Sequence, residues 1–480
     1  MARFISSALV SAFLCIASFG ANAQGAPSAS DKVWHSDVEK GIEGQLATWP
    51  EAKYPVDSAK EYTLAELVDL AEEHNPETRV AWQQAKARAA ALGIARSEWY
   101  PVVAAVAVAN TTQTYIMFAT QFYRQVFGSY TTVVRLEYLV LDFGGRSGAI
   151  EAAKANLLAA NLAFNNTHRK IIFDVMSAYY RLLNAMGQRA AAEVSLKNAQ
   201  ADEDDAEDRL RHGLATKPDV LEARAATAQA EYDLQAAIGS EAIAHGDLAT
   251  AMGLSPATEF RVQDISKLEL PRDMAGAVDE AIDEAFKQRP DLQAQLERLR
   301  AAEGRLKEVR SAWFPTLSLN GEAGYTRALG MQDNLAGIYG AGRLWNANLS
   351  LKWTIFDGTR REHDIAQARA EKAAAQAEID SMRDRIADEV WTAYTNMKTA
   401  QRQQQAAAAL LDSANESYAA ARESYSYGVR NLLDVVSAQK ALAQAASEDV
   451  TARSQLLLQS ANLAFETGEL ISAPPGKTIP

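Results

Sequence analysis

Six histidines are the obvious candidates for metal or acid–base chemistry, and they stand alone. His35, His74, His168, His212, His245 and His363 are scattered, and no two share the spacing that sets two imidazoles on one helical face around zinc. Gly337 to Gly342 is glycine-rich, but it lies between strand patterns and opens no helix, so it reads as a loop and not a phosphate cradle. Cys15 is the single cysteine and falls in the leader discussed below, which rules out a disulfide framework or a thiolate metal site in the remainder. The one dense charge cluster is Asp202-Glu203-Asp204-Asp205 with Glu207-Asp208. Its bland reading is a solvated helix face; its sharper reading is an electronegative band that favours cations. Nothing here makes a catalytic site, a cofactor site or a metal centre, so an enzyme is not expected. The formal charge of −13 also argues against a nucleic-acid binder, which should be basic.

The patterning of the chain is more informative. Trp345, Ala347, Leu349, Leu351, Trp353 and Ile355 alternate with Asn346, Asn348, Ser350, Lys352 and Thr354, which is a strand with one apolar and one wet face. At Asp357-Gly358 the period changes, and an alanine-rich helical pattern runs on without proline. The same event occurs upstream, where the alternation of Val133 to Leu141 gives way at Asp142-Phe143-Gly144-Gly145-Arg146. Gly144 and Gly358 are 214 residues apart. So are Asn75-Pro76 and Arg289-Pro290, and Trp99-Tyr100-Pro101 and Trp313-Phe314-Pro315. Gly213-Leu214 with Asp219-Val220 and Ala223 matches Gly428-Val429 with Asp434-Val435 and Ala438 at 215. Five landmarks within one residue make the chain a tandem duplication.

The expected organisation follows. Residues 1–23 read as a secretory signal: Arg3, an apolar run from Ala8 to Phe19, and Ala21-Asn22-Ala23 before Gln24. Phe13-Leu14 puts bulk before Cys15, against an acylated lipoprotein. An extended lead-in occupies 24–62, the first repeat 63–254, a linker 255–277, the second repeat 278–466 and a tail 467–480. Within each repeat a helix runs into proline, a β-hairpin follows, and then a helix of nearly 70 residues, roughly 100 Å at 1.5 Å per residue. Strands are expected from Val102 to about Thr112 and from Thr131 to Leu141, with Gln113 to Tyr130 as an aromatic loop. The second hairpin has Ala328 to Leu344 as its loop. Ile365, Ala368, Ala375, Ile379, Met382 and Ile386 keep three-four spacing, a coiled-coil seam.

No run beyond the leader is long and apolar enough for a transmembrane helix. Strands of about 10 residues with one apolar face do suit a membrane. Four strands cannot close a barrel, and lipid tolerates no open sheet edge. Three chains give twelve strands, with room for a channel, so a homotrimer is expected. The turns at Gly213-Leu214 and Gly428-Val429 lie farthest from the strands and leave backbone open to a partner.

Taken together, the leader, the duplication and the strand-to-helix junctions resemble outer-membrane efflux channels of the TolC type, over about Tyr62 to Leu470. The residues that carry the resemblance are Leu141 to Arg146, Ile355 to Gly358, Gly213 to Thr216 with Asp219-Val220-Leu221, and Tyr425 to Gln439. The resemblance implies an α+β membrane protein. It would be a trimer with a twelve-strand outer-membrane barrel, four strands per chain, continued by a long periplasmic α-helical barrel closed at its far end. It implies an export channel for drugs and toxic compounds, seated in outer-membrane lipid, with a periplasmic adaptor and an RND or ABC inner-membrane transporter as partners. Alternatives are the exit duct of a type I secretion system, or a periplasmic coiled-coil scaffold without a channel. It further implies that Tyr425 and Arg430 tie the second tip to Asp219 of the first and latch the tube shut. Asp434 would ring the narrowest point; where some members carry a second acidic ring, this chain has Ser437.

Overall fold

The computed structural model describes residues 56–263, 277–332 and 337–471, with a few positions between 31 and 45. The leader, most of the lead-in and linker, and the tail beyond residue 471 lie outside the described residues. Contacts separate residues 1–55 from Val56–Pro480, and the elements below belong to the second unit.

Each repeat uses the same devices in the same order. In the first, strand β1 (Glu61–Tyr62) precedes α1 (Leu64–His74) and α2 (Pro76–Ser97). Thr63 and Glu66 form the expected capping box on α1. Asn75 ends α1 and caps α2, whose first residue is Pro76, where a missing N–H costs nothing. Strands β2 (Val102–Phe118) and β3 (Gln121–Leu141) lead to α3 (Gly145–Arg211) and its return α4 (Lys217–Ala251). The second repeat follows β4 (Arg261–Val262), which pairs with β1. It comprises α5 (Val278–Gln288), α6 (Pro290–Arg310), β5 (Thr316–Gln332), β6 (Ile338–Lys352), α7 (Arg360–Ser426) and α8 (Leu432–Thr467). The two long helices have 67 residues each, about 100 Å apiece. Of the seam on α7, Ile365, Ala368, Ile379 and Ile386 are buried and Met382 packs beside them.

The helices approach closely because small residues face each other. A Cβ on Gly304 would fall 2.6 Å from the Ala152 backbone nitrogen, and one on Gly148 would fall 2.5 Å from that of Glu308. Neither position admits a side chain without separating α3 from α6.

Four strands form one antiparallel sheet in the order β2-β3-β5-β6, so the two repeats join edge to edge at β3–β5. Directly paired residues share a face. Arg135, Glu322 and Asn346 lie in one row and Glu137, Asn320 and Asn348 in the next. Asn346 donates to Glu322 at 2.7 Å, and Arg135 stands 3.6 Å from the same carboxylate. On the opposite face Leu136, Ala347, Leu349, Leu351 and Trp345 form an apolar surface. Trp345 is 79% exposed. An exposed apolar face backed by a polar one suits a wall between lipid and an aqueous lumen.

The strands are longer than expected. β2 and β3 run through the stretch read as an aromatic loop and meet at Ala119-Thr120, and β5 and β6 absorb most of Ala328 to Leu344. The sequence pattern failed there for a physical reason. There both faces mix polar with large apolar side chains, Met117 and Phe122 on one and Phe127 and Ile338 on the other, so the period-two amphipathy vanishes while backbone pairing continues. At the other end β6 stops at Lys352, and Trp353 donates its indole N–H to the Trp313 carbonyl at 3.2 Å.

The close helix crossing makes a direct prediction. Gly304→Val should destabilise the fold by about 1–3 kcal/mol or more through overpacking and reduce heat-resistant assemblies on gels. Gly93→Ala, where a Cβ meets nothing within 4 Å, should leave them unchanged.

Candidate functional site

The two turns joining the long helices to their returns are built alike. At the first, the Gly213 N–H donates to the Leu210 carbonyl at 3.0 Å and the Leu214 N–H to that of Arg209 at 2.8 Å. At the second, Gly428 donates to Tyr425 at 3.0 Å and Val429 to Ser424 at 2.9 Å. This paired pattern is the Schellman ending, and it requires the left-handed backbone that Gly213 and Gly428 adopt at φ +74° and +72°. Leu214 and Val429, the next residues, are 74% and 80% exposed. Each turn thus holds one apolar side chain out into open space.

The returning helices start with different caps. Asp219 closes a capping box on α4: its Oδ2 accepts from the Thr216 backbone N–H at 2.8 Å and from the Thr216 hydroxyl at 2.7 Å. On α8 the Asn431 side chain accepts from the Asp434 N–H at 2.9 Å, and the half-buried Asp434 carboxylate makes no ion pair among the described residues.

Within one chain the expected latch residues are only partly gathered. Tyr425 is 7% exposed, and the Arg209 guanidinium lies over its ring at 4.3 Å. Arg209 also donates to the Ser426 carbonyl at 2.8 Å. The Tyr425 hydroxyl is buried without a hydrogen-bond partner, and burial, with nearby carboxylates that include Asp219, pushes its ionisation up. Arg430 is exposed and forms no ion pair among the described residues. A chain alone therefore does not bring Arg430 to Asp219.

A second contact between the hairpins was not foreseen. The Tyr418 hydroxyl donates to Asp202 Oδ2 at 3.0 Å, and Arg422 lies 3.5 Å from Asp202 Oδ1. Asp202 is 4% exposed; burial raises its carboxyl above the ordinary range, and burial together with that carboxylate raises Tyr418. Around this clasp Val220, Ala223, Ala421, Leu432 and Val435 form a shared core. No local signal in the sequence marks this pair, whose members lie 216 residues apart. The acidic run is thus a partly solvated face, with Asp204 and Asp208 exposed, in which most carboxylates have a basic or hydroxyl partner. Asp202 faces Tyr418, Asp205 pairs with Arg209, Glu203 and Glu207 pair with Arg224, and Asp208 pairs with Arg211.

The family model described as "Outer membrane efflux protein" matches residues 67–254 and 281–469, the two repeats in turn. The chain belongs to this family. It is 28% identical over 442 residues to protein CyaE of Bordetella pertussis, covering 89% of each chain. It is 27% identical over 379 residues to the outer membrane protein OprJ of Pseudomonas aeruginosa, covering 78% of each. Among solved structures, a membrane protein from Pseudomonas aeruginosa superposes with a TM-score of 0.74 at 25% identity, over 87% of this chain and 99% of that one. The chain is thus an outer-membrane channel and not an enzyme. Its fold class is a trimeric barrel to which each chain gives four strands, continued into the periplasm by the long helices.

The clasp carries a pH signature. Because the folded protein holds the Asp202 proton more tightly than the unfolded chain, the stability it contributes is present below the ordinary carboxylate range. That stability is lost as pH rises through the raised folded value. Asp202→Asn should therefore melt higher than the parent protein at pH 8 and flatten the dependence between pH 4 and 8. Tyr418→Phe, which strands a buried carboxylate, should cost about 1–3 kcal/mol at pH 8. Melting curves by circular dichroism check both.

Proposed function

We propose that this channel passes small molecules, drugs and toxic compounds among them, from the periplasm to the exterior as the outer part of a tripartite export system. Its partners are a periplasmic adaptor and an RND or ABC inner-membrane transporter. The observation that carries this reading is the pair of glycine turns at the ends of 67-residue helices, each presenting an exposed apolar residue. The efflux names of relatives such as the cation efflux system protein CusC of Escherichia coli, 25% identical over 312 residues, support small cargo.

In this proposal the adaptor docks on Gly213, Leu214, Gly428 and Val429. A Cβ at either glycine would meet nothing within 4 Å, so a bulky residue there leaves the core packing intact, but it strains the left-handed turn, and retention of trimers must accompany any loss of export. The gate is a latch between protomers: Arg430 of one chain reaches Asp219 of the next, and the stranded Tyr425 hydroxyl finds its acceptor there. Only Oδ2 of Asp219 is engaged by Thr216, which leaves Oδ1 for an arginine fork. An exposed pair of this kind is worth about 1 kcal/mol or less, and three symmetric copies add, a strength that a docking adaptor can overcome. Three Asp434 carboxylates on the axis form the constriction, without reinforcement from Ser437.

Gly213→Trp and Gly428→Trp should each raise cellular accumulation of a fluorescent amphiphilic drug to the level of a strain lacking the channel, while trimers remain in the membrane. Normal export in both variants would refute tip docking. Loss of a secreted protein with drug export intact would move the reading to type I secretion. In planar bilayers Arg430→Ser with Tyr425→Phe should increase single-channel conductance severalfold. Asp434→Ala should instead weaken block by multivalent cations without opening the pore, because carboxylates gathered on an axis attract such ions strongly. Unchanged conductance in the double variant would place the latch elsewhere.

A further inference from the structure

Counted from the helix end, the lipid-side face of the sheet carries its first charged side chains at one level. From Leu351 through Leu349 and Ala347 to Trp345 it is apolar, as are the residues paired with them on β5. In the next row Tyr325 pairs with Arg343, and in the row beyond it Tyr130 pairs with Arg327. Both arginines are exposed, and neither forms an ion pair among the described residues. The Arg327 guanidinium lies 5.8 Å from the Tyr325 ring centre. Among the described residues this face carries one further arginine, Arg124, and no acidic side chain; Glu137 and Glu322 stand on the opposite face.

The height of the row follows from strand geometry. Ten residues separate Trp353 from Arg343, about 34 Å along a strand. Tilted by roughly 35–45°, that distance spans about 25 Å of membrane, the height of the apolar band on such barrels. Arg343 therefore stands where hydrocarbon ends, at the end of the sheet opposite the long helices. Those helices are periplasmic, so this is the outer leaflet.

We propose that Arg327 and Arg343, framed by Tyr130 and Tyr325, bind the phosphorylated sugar headgroups of outer-leaflet glycolipid. Charge complementarity singles out this occupant. Guanidinium forks hold phosphate oxygens bidentately, and tyrosines favour the headgroup level, with the ring in the apolar layer and the hydroxyl in the wet one. Among the described residues no carboxylate on this face pairs with the two arginines. Threefold closure repeats the pair around the barrel, so the glycolipid forms a collar that seals the protein–lipid boundary.

The test uses the intact trimer, purified in mild detergent and incubated with bisphosphorylated lipid A, dephosphorylated lipid A or phosphatidylglycerol. Native mass spectrometry counts the bound lipid. The parent protein should retain bisphosphorylated lipid A in preference to both others. Arg327→Gln with Arg343→Gln should lower that affinity about tenfold or more, by the loss of two surface charges. Arg327→Lys with Arg343→Lys, which keeps the charge and guards against a misfolded double variant, should retain part of it. Arg135→Gln, on the lumen face, should change nothing. Equal retention by the parent and glutamine variants would overturn the proposal, as would equal binding of phosphatidylglycerol or occupation of the belt by a copurified protein. Drug export, scored in parallel, tests the channel and not the belt.

Discussion

A buried arginine at each strand-to-helix junction holds the architecture together. Arg146 lies 3.3 Å from Asp142, donates to the carbonyls of Glu98 and Val140, and stacks on Trp99 at 4.4 Å. Arg361 repeats every contact one duplication later. It lies 2.8 Å from Asp357, donates to the carbonyls of Ala312 and Ile355, and stacks on Trp313 at 4.6 Å. One guanidinium thus ties the end of the preceding helix, the last turn of a strand and the first turn of a 67-residue helix. A lever of about 100 Å magnifies any error at its root, so a planar fork with five donors in fixed directions suits this position better than a lysine. The aromatic ring below supplies attraction that desolvation strengthens.

The duplication is faithful in geometry and unequal in chemistry. Asn75 and Arg289 occupy the same helix break before proline. Asn75 reaches only the Ala251 carbonyl, at 3.1 Å, besides its own cap. Arg289 instead forks onto Asp291 and reaches Glu389 and Glu466 at 2.7 and 2.9 Å, while Arg169 stands 3.5 Å from Asp291. Four helices, α3, α6, α7 and α8, meet in this network. Burial depresses the ionisation of Arg169 and pushes that of Glu466 up, and the two arginines together hold Asp291 below the ordinary range. Removing one partner from such a set costs about 3–5 kcal/mol, because the remaining charges stay buried. The second repeat is the one fixed midway along its length.

Much of this was legible because backbone chemistry leaves marks in sequence. Proline at the first helical position, glycine past the last, and aspartate four residues before arginine each report a local geometry, and each recurs at the repeat distance. The strand ends were not legible, since amphipathy disappears where both faces mix polar and apolar side chains. The contacts between hairpins were hidden for a different reason. Asp202 and Tyr418 are 216 residues apart, and nothing local distinguishes a buried aspartate from the five acidic neighbours that surround it. The proposed latch rests on resemblance, and a single chain does not bring Arg430 to Asp219.

The strengths of these contacts run downhill along the helices. At the root, a buried arginine with several acceptors and an aromatic base admits no exchange with water. Midway, five charges are locked by mutual burial. Two to three turns above the tips the clasp is one buried hydroxyl on one buried carboxylate, with half-exposed Arg422 beside it. At the tips the Arg430 side chain has no ion pair among the described residues, and Asp219 spends one oxygen on a cap. A tube graded in this way yields first at its far end, because the least stable segment opens before the rest. Loosening at that end leaves the sheet paired through β3 and β5. The same gradient shows in the glycines: those at the tips face open space, while Gly148 and Gly304 are locked between helices.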